Sequence, residues 1–377
     1  MADVFESVFG QPDVRDFLRK SVLNERVTHA YLFTGPAGSN KTQAAYALAA
    51  ALMCGERNGC GRCEECERVM RRTHPDVRYF APEGATGYLV EQVREIVADT
   101  ALAPIRSTRK VYIMDRVDLL GVSAANAFLK TLEEPPSDVV LILLGRTRES
   151  VLPTIVSRCS VVPFRHIPAS EAAAIIVQRT GTSRETARMA IEASGGSITA
   201  AIDFLKSNER LAFRARVLEM MSLLRRSDSW DLFRMASEVV TLAKAPLDSV
   251  RAAQEAELEA NSDFLAKSAI RQIEARNKRA LSAYSTMSLR QFTAIVASYL
   301  RDVLVTCAGT PELVINVDVS SGIADVAGMV DEPRVAKALA AVRAANEAIS
   351  YNVSPETCIG AMLIEIREAL YGSHSPR

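Results

Sequence analysis

HAYLFTGPAGSNKT, residues 29–42, runs from a short apolar segment, Ala30 to Thr34, through a loop carrying Gly35 and Gly38 into a helical pattern with Ala44, Ala45, Leu48 and Ala49. Strand, loop and helix in that order let consecutive backbone N–H groups curl round phosphates at a helix N-terminus, where Lys41 meets the β and γ oxygens and Thr42 holds Mg²⁺. In the pattern G-x4-G-K-[ST] the second glycine is here Asn40. Asparagine is one of the few side-chain-bearing residues that tolerate positive φ, so the loop is expected to keep its shape while the Asn40 side chain crowds the phosphates. Gly35, Gly38, Lys41 and Thr42 are read as a degenerate site for ATP or ADP with Mg²⁺.

Outward from that loop, apolar runs alternate with helical patterns as far as Phe164. The runs are Ala30 to Thr34, Asp76 to Phe80, Val111 to Met114, Val139 to Leu144 and Ser160 to Phe164; helices are expected over Pro12 to Val27, Lys41 to Met53, Leu89 to Leu102 and Ser123 to Glu134. This alternation reads as βα units round a buried, mostly parallel sheet. The run Val111 to Met114 ends on Asp115, which joins the nucleotide site as the acid that holds Mg²⁺ through water. A hydrolysing ATPase of this layout needs a second carboxylate beside that Asp, and the next residue is Arg116. A guanidinium accepts no proton and repels the metal, so the catalytic base is missing. Asp118, two residues on, is a weak substitute candidate for that base and reads first as an exposed helix-start acid.

Four of the seven cysteines, Cys54, Cys60, Cys63 and Cys66, form C-x5-C-x2-C-x2-C with Gly55, Gly59 and Gly61 between them. The spacing brings four thiolates to one tetrahedral point, as a structural Zn²⁺ with Zn–S bonds of about 2.3 Å requires. His74 reads as a helix-end or strand-start residue rather than a ligand. The module also carries Arg57, Arg62, Arg68, Arg71 and Arg72, but Glu56, Glu64, Glu65 and Glu67 lie among them, so it is not a cleanly basic nucleic-acid patch. Over the chain 45 Lys and Arg balance 45 Asp and Glu, which excludes coating of nucleic acid by bulk charge. The longest apolar run, Ala44 to Cys54, falls short of the roughly 18 residues of a membrane span, and the opening MADVFESVFG has no apolar signal region. A cytoplasmic protein with no membrane partner is expected.

Beyond Phe164 the pattern changes. Between Ile198 and Ala308 there is no glycine and one proline, Pro246, so this span is expected to be almost wholly helical. Gly195-Gly196 ends one helix and opens the next, closing a small helical unit from about Pro168 to Phe204. Arg251 to Ala283 sets dense mixed charge on a thin apolar stripe (Leu258, Leu265, Ile270, Ile273, Leu281), the pattern of a long, mostly exposed helix or hairpin, and its basic end (Arg271, Arg276, Lys278, Arg279) reads as a solvated face. Three domains are expected: 1–166, a P-loop sheet domain with the cysteine module at 54–66; 167–208, a small helical domain; and 209–377, a larger helical domain. The fold class is α/β followed by all-α.

The combination resembles the bacterial DNA polymerase III clamp loader, an AAA+ assembly. The matching stretches are FESVFGQPDV (5–14), HAYLFTGPAGSNKT, the cysteine cluster, KVYIMD (110–115), NAFLKTLEEPP (126–136), LPTIVSRC (152–159) and ASGGSITAAIDFL (193–205), with SYLRDVL (298–304) and NVSPETCIGAMLIEI (352–366) more thinly matched. The resemblance implies an AAA+ P-loop domain, a helical lid and a C-terminal helical collar through which subunits assemble. It also implies gamma/tau and delta subunits as partners, with the sliding clamp and, through the complex, primed DNA, at the nucleoid-associated replisome of a bacterial cytoplasm. In that family the SRC segment offers its arginine to a neighbour's nucleotide, so Arg158 is implied as an arginine finger acting in trans. Motor subunits carry an intact glycine-lysine loop, an acidic pair, a polar sensor and a lid arginine; this chain has Asn40, Arg116, Gly145 or Arg146, and Thr199. With these altered and Arg158 kept, the pattern is similar to the delta-prime type of subunit, a stator without ATPase activity of its own. An active gamma/tau-type ATPase and a zinc-dependent nucleic-acid adaptor are the alternatives.

Overall fold

The computed structural model describes residues 3–84, 87–261, 267–349 and 354–372, with only a few side chains between 245 and 287. Its contacts divide the chain into two compact units, Met1–Gly181 with Gly196–Ala200, and Thr182–Gly195 with Ala201–Arg377.

The first unit runs α1 (Pro12–Leu23), β1 (Ala30–Thr34), α2 (Lys41–Met53), α3 (Glu64–Met70), β2 (Val77–Phe80), α4 (Val90–Thr100), β3 (Lys110–Met114), α5 (Val122–Glu133), β4 (Val139–Gly145), α6 (Pro153–Val156), β5 (Ser160–Pro163) and α7 (Ala169–Thr180). Its strands form one parallel sheet in the order β2-β3-β4-β1-β5, with Leu32 of β1 opposite Leu143 of β4 and Val161 of β5. Alternate residues serve opposite faces. Tyr31, Phe33, Ile113 and Ile142 pack with α1 and α2, while Leu32, Tyr112, Leu141 and Leu143 pack with Val93 and Ile96 of α4 and Phe128 and Leu132 of α5. Because both faces are covered, every residue of β1, β3 and β4 is buried, which is why these strands read as unbroken apolar runs rather than alternating ones.

The α/β order expected from the sequence is the order found, with two helices added and one shortened. Helix α1 stops at Leu23 rather than Val27, because Glu25 turns the chain at φ +54. Helix α3 has too few residues to show a hydrophobic period. It is started by Cys63, whose sulfur accepts from the Cys66 amide, and by Glu64, Glu65 and Glu67 at the positive end of the helix.

Helix α8 (Arg184–Ala193) belongs to the second unit, and α9 (Ile198–Lys206) begins in the first and ends in the second. The second unit continues through α10 (Asn208–Leu223), α11 (Ser229–Asn261), α12 (Lys267–Cys307), α13 (Ser320–Ala327), α14 (Glu332–Ile349) and α15 (Pro355–Tyr371), and no strand occurs among its described residues. Helix α12 packs against α10, α11, α13 and α14, and α15 against α11 and α14. Two buried charges tie the connections down. Asp302 accepts from the amides of Ile315 (3.0 Å) and Asn316 (2.7 Å), and Arg214 reaches both oxygens of Asp318 at 2.6 and 2.9 Å. Of the charged stretch 251–283, residues 251–261 fall on the end of α11 and 267–283 on the start of α12; Leu265 and the side chains of Leu258, Ile270, Ile273, Arg271, Arg276, Lys278 and Arg279 lie outside the described residues. No described helix is long and apolar enough to cross a membrane.

Candidate functional site

The loop after β1 has the outline of a phosphate cradle, yet its donors serve the loop itself. Asn40 takes the left-handed conformation, φ +72, at the N-cap of α2. Its side chain does not crowd the cradle as expected: Nδ2 donates to the carbonyls of Ser7 (3.1 Å) and Phe9 (3.4 Å), tying the loop to the segment before α1. Lys41 Nζ donates to the carbonyls of Gly35 (2.6 Å) and Pro36 (2.7 Å) and to Ser39 Oγ (3.3 Å), so all three ammonium protons are engaged within the loop. Burial pulls the lysine below its ordinary pKa, against the opposing charges of Asp115 and Asp118. Gly38 holds φ +77, and a Cβ there would stand 2.6 Å from the Gly196 carbonyl oxygen, so only glycine fits. Thr42, half-buried, follows in the first turn of α2.

Asp115 leaves β3 at the same C-terminal edge of the sheet. Its carboxylate accepts from the Tyr79 hydroxyl (2.8 Å) and the Arg116 amide (3.0 Å), and its carbonyl from the Tyr88 hydroxyl (2.7 Å). Burial and the Asp115 charge push both tyrosine hydroxyls far above their ordinary range, so they remain donors. Asp118 is not the exposed acid that its position suggests. Its side chain is 4% exposed, with one oxygen 3.4 Å from Arg146 Nε and the other buried without a hydrogen-bond partner. The Thr199 hydroxyl is likewise buried and unpartnered. Gly35, Gly38, Lys41, Thr42 and Asp115 thus gather at one edge, as the sequence pattern anticipates, but with Lys41 and Asp115 already paired inside the chain.

The cysteines converge. Cys54 follows α2, Cys60 lies in the turn, and Cys63 and Cys66 open α3; all four Sγ atoms lie within 4.8 Å of one another. Four sulfurs at tetrahedral angles round a zinc ion stand about 3.8 Å apart, and the Cys54 and Cys63 sulfurs are 3.9 Å apart. Burial raises the Cys54 thiol, but the amides of Cys60, Asn58, Glu56 and Gly59 outweigh it and hold the group down at about 6. Burial pushes the Cys63 and Cys66 thiols up. Four soft donors within 4.8 Å of one another, with amides that favour the thiolate at Cys54, fit Zn²⁺. His74 stays outside this group. Its Nε2 lies 2.7 Å from Glu65 and its Nδ1 accepts from the Asp76 amide at 3.1 Å.

Arg158 lies at the other edge of the same sheet, just before β5 and beside His29, which precedes β1. Its side chain is 32% exposed. Nε donates to Glu133 Oε1 at 2.9 Å and Nη2 to the same oxygen, while Nη1 donates to the Thr154 carbonyl (2.9 Å) and Ser157 Oγ (3.2 Å). These residues line an open groove with Leu132 and Cys159. Five strand residues at about 3.3 Å each separate the two edges, so Arg158 is beyond reach of its own phosphate loop.

Sequence reasoning missed Glu133, the tyrosines on Asp115, and Gln11. Gln11 is 3% exposed and donates to the carbonyls of Ser39 (3.1 Å) and Arg165 (2.7 Å), binding the phosphate loop to the end of β5. Each contact joins residues far apart in the chain, and no periodicity announces them.

Comparison with known proteins gives a consistent result. The family described as "DNA polymerase III, delta subunit" matches residues 10–168. DNA polymerase III subunit delta-prime of Bacillus subtilis is 29% identical over 216 residues, 57% of this chain and 65% of that protein. The delta-prime subunit of Pseudomonas aeruginosa is 41% identical over 135 residues, 35% of this chain and 41% of that protein. The tau subunit of Bacillus subtilis is 37% identical over 166 residues, 43% of this chain and 29% of that protein. The matches therefore span less than two thirds of the length of each of these relatives. Among solved structures, a gamma-subunit-related protein of Thermotoga maritima aligns with a TM-score of 0.46 at 16% identity, covering 94% of this chain and 99% of that one.

Proposed function

This chain belongs to the family of DNA polymerase III clamp-loader subunits that takes in delta-prime and gamma/tau, and from that premise we propose that it acts as a delta-prime-type stator, lending Arg158 to a nucleotide held by a neighbouring subunit. The observation that carries this reading is the opposition of two cations across one sheet. Lys41 is folded into its own loop, whereas Arg158 stands at the surface of the far edge. An outward guanidinium that cannot reach its own phosphate loop is useful to a triphosphate on another protomer. There it stabilises the charge that develops on the transferring phosphoryl group, an effect worth ~10³–10⁵ in rate for such fingers.

The chain's own ATP, ADP and Mg²⁺ site is degenerate under the same reading. Asn40 and Lys41 are tied to backbone carbonyls, Asp115 is held by Tyr79, and Arg116 occupies the place of the base. Cys54, Cys60, Cys63 and Cys66 would hold a structural zinc that pins the module to α2. The proposal includes the three-part division 1–166, 167–208 and 209–377. It includes gamma/tau, delta, the sliding clamp and primed DNA as partners, in the bacterial cytoplasm. The test is reconstitution with gamma/tau and delta subunits. Loss of DNA-stimulated ATP turnover in Arg158→Ala, with assembly retained on gel filtration, supports the reading. Unchanged turnover overturns it, and brisk ATP cleavage by the chain alone favours the gamma/tau type instead.

A further inference from the structure

Arg158 is partly exposed but not free-standing. A guanidinium has five N–H groups, and four hydrogen bonds engage this one: two to Glu133 Oε1, one to the Thr154 carbonyl and one to Ser157 Oγ. Arginine grips a phosphate by two parallel N–H bonds from one edge of the fork. The edge formed by Nε and Nη2 is the one that Glu133 covers, and the Nη1 side is turned to Thr154 of α6 and to Ser157 just after it. Glu133 is also the last residue of α5, where a carboxylate faces the negative end of the helix and gains from a cation beside it. Both partners remain open to solvent, at 32% and 47%.

We propose that Glu133 is a positioning residue that withholds the Arg158 guanidinium, covering its phosphate-binding edge until a neighbour's nucleotide displaces the carboxylate. This rests on the reading of Arg158 as a finger in trans. The exchange is directional. An exposed carboxylate–guanidinium pair is weak, while a terminal phosphoryl group brings about two negative charges and a bidentate face. Water holds the pair only loosely closed, and a triphosphate pressed against the groove takes the place of the carboxylate. Glu133 thereby ties the finger's engagement to closure of the assembly, so that turnover is suppressed while the complex is open.

The experiment uses the complex reconstituted with gamma/tau and delta subunits, measuring ATP turnover without DNA and at saturating primed DNA. Glu133→Gln keeps the side-chain shape and removes the charge. It is expected to raise DNA-independent turnover roughly two- to fivefold and to lower the stimulation by DNA by the same factor. Glu133→Asp, which keeps the charge, should fall between Glu133→Gln and the parent. Equal melting temperatures of the variants exclude loss of fold as the cause. If Arg158→Ala abolishes stimulated turnover while Glu133→Gln leaves DNA-independent turnover unchanged or lower, the withholding role is overturned and the finger stands. If Arg158→Ala has no effect, both fall.

Discussion

At the C-terminal edge of the sheet Lys41 is clamped by the carbonyls of Gly35 and Pro36; at the N-terminal edge Arg158 is clamped by the side chain of Glu133. Both are cations with nearly every donor engaged; Arg158 too gives one bond to a backbone carbonyl, that of Thr154, but its Nε and Nη2 edge is held by a side chain. Backbone carbonyls of a loop tied down by Asn40 and Gln11 cannot leave without unfolding it. A half-exposed carboxylate at a helix end can rotate away. A charge held by fixed acceptors is a strut, and a charge held by a movable one is available for exchange. The N-terminal edge contains both kinds. Asp76, fully buried, accepts from the amides of Ile105 (2.6 Å), Arg106 (2.8 Å) and Ser107 (2.8 Å), a fixed arrangement at the residue immediately before β2.

The contrast is broken most severely at Arg158. Arg158→Ala in the reconstituted complex is expected to cost ~10³-fold in DNA-stimulated ATP turnover, read in a coupled phosphate-release assay, with no loss of assembly. Next comes the cysteine module, which packs on α2, the helix that begins at Lys41. Cys66→Ser removes a zinc ligand and leaves a hydroxyl in a fully buried site, at a cost of about 2–3 kcal/mol. Zinc release to an indicator dye and a lower melting temperature should report it; retention of zinc with unchanged melting would disprove the convergent site.

Asp76→Asn replaces an acceptor of three amides by a side chain with one acceptor oxygen, and about 2 kcal/mol of stability should go with it in urea unfolding, while turnover holds. The sign of its pH dependence follows from its surroundings. Burial works to raise the Asp76 carboxyl, but the amides of Ile105, Ser107 and Arg106 and the nearby His74 outweigh burial and hold it below the usual carboxylate range. Its contribution is therefore present above the unfolded carboxyl's pKa of about 4 and is lost as pH falls through the lowered folded value. The parent should lose more stability than Asp76→Asn on acidification below about pH 4. The smallest effect belongs to Lys41→Ala, which should cost about 1 kcal/mol and change turnover by less than about twofold. A large loss of turnover there would make the two edges alike.

Much of this was available from local pattern. The five strands, the loop after β1 and the convergence of Cys54, Cys60, Cys63 and Cys66 each depend on residues close together in the chain, so spacing and burial pattern suffice. The positive φ of Asn40 followed from residue type; the direction of its side chain did not, because Ser7 and Phe9 come from a segment that only the fold brings near. Asp118 misled for the same reason. Its neighbours in sequence suggest a solvated helix start, while Arg146, at the end of β4, covers it.

Sequence alone determined the chain's secondary order, its buried sheet, its metal-ligand spacing and its family resemblance, since each is written in short-range period and residue chemistry. Tertiary structure alone decided which cations are struts and which are exchangeable. Those roles depend on Glu133, 25 residues from Arg158, and on Gln11, which ties the loop round Lys41 to the Arg165 carbonyl 154 residues away. A hydrogen bond of about 3 Å across such a distance exists only once the backbone has been brought round by packing.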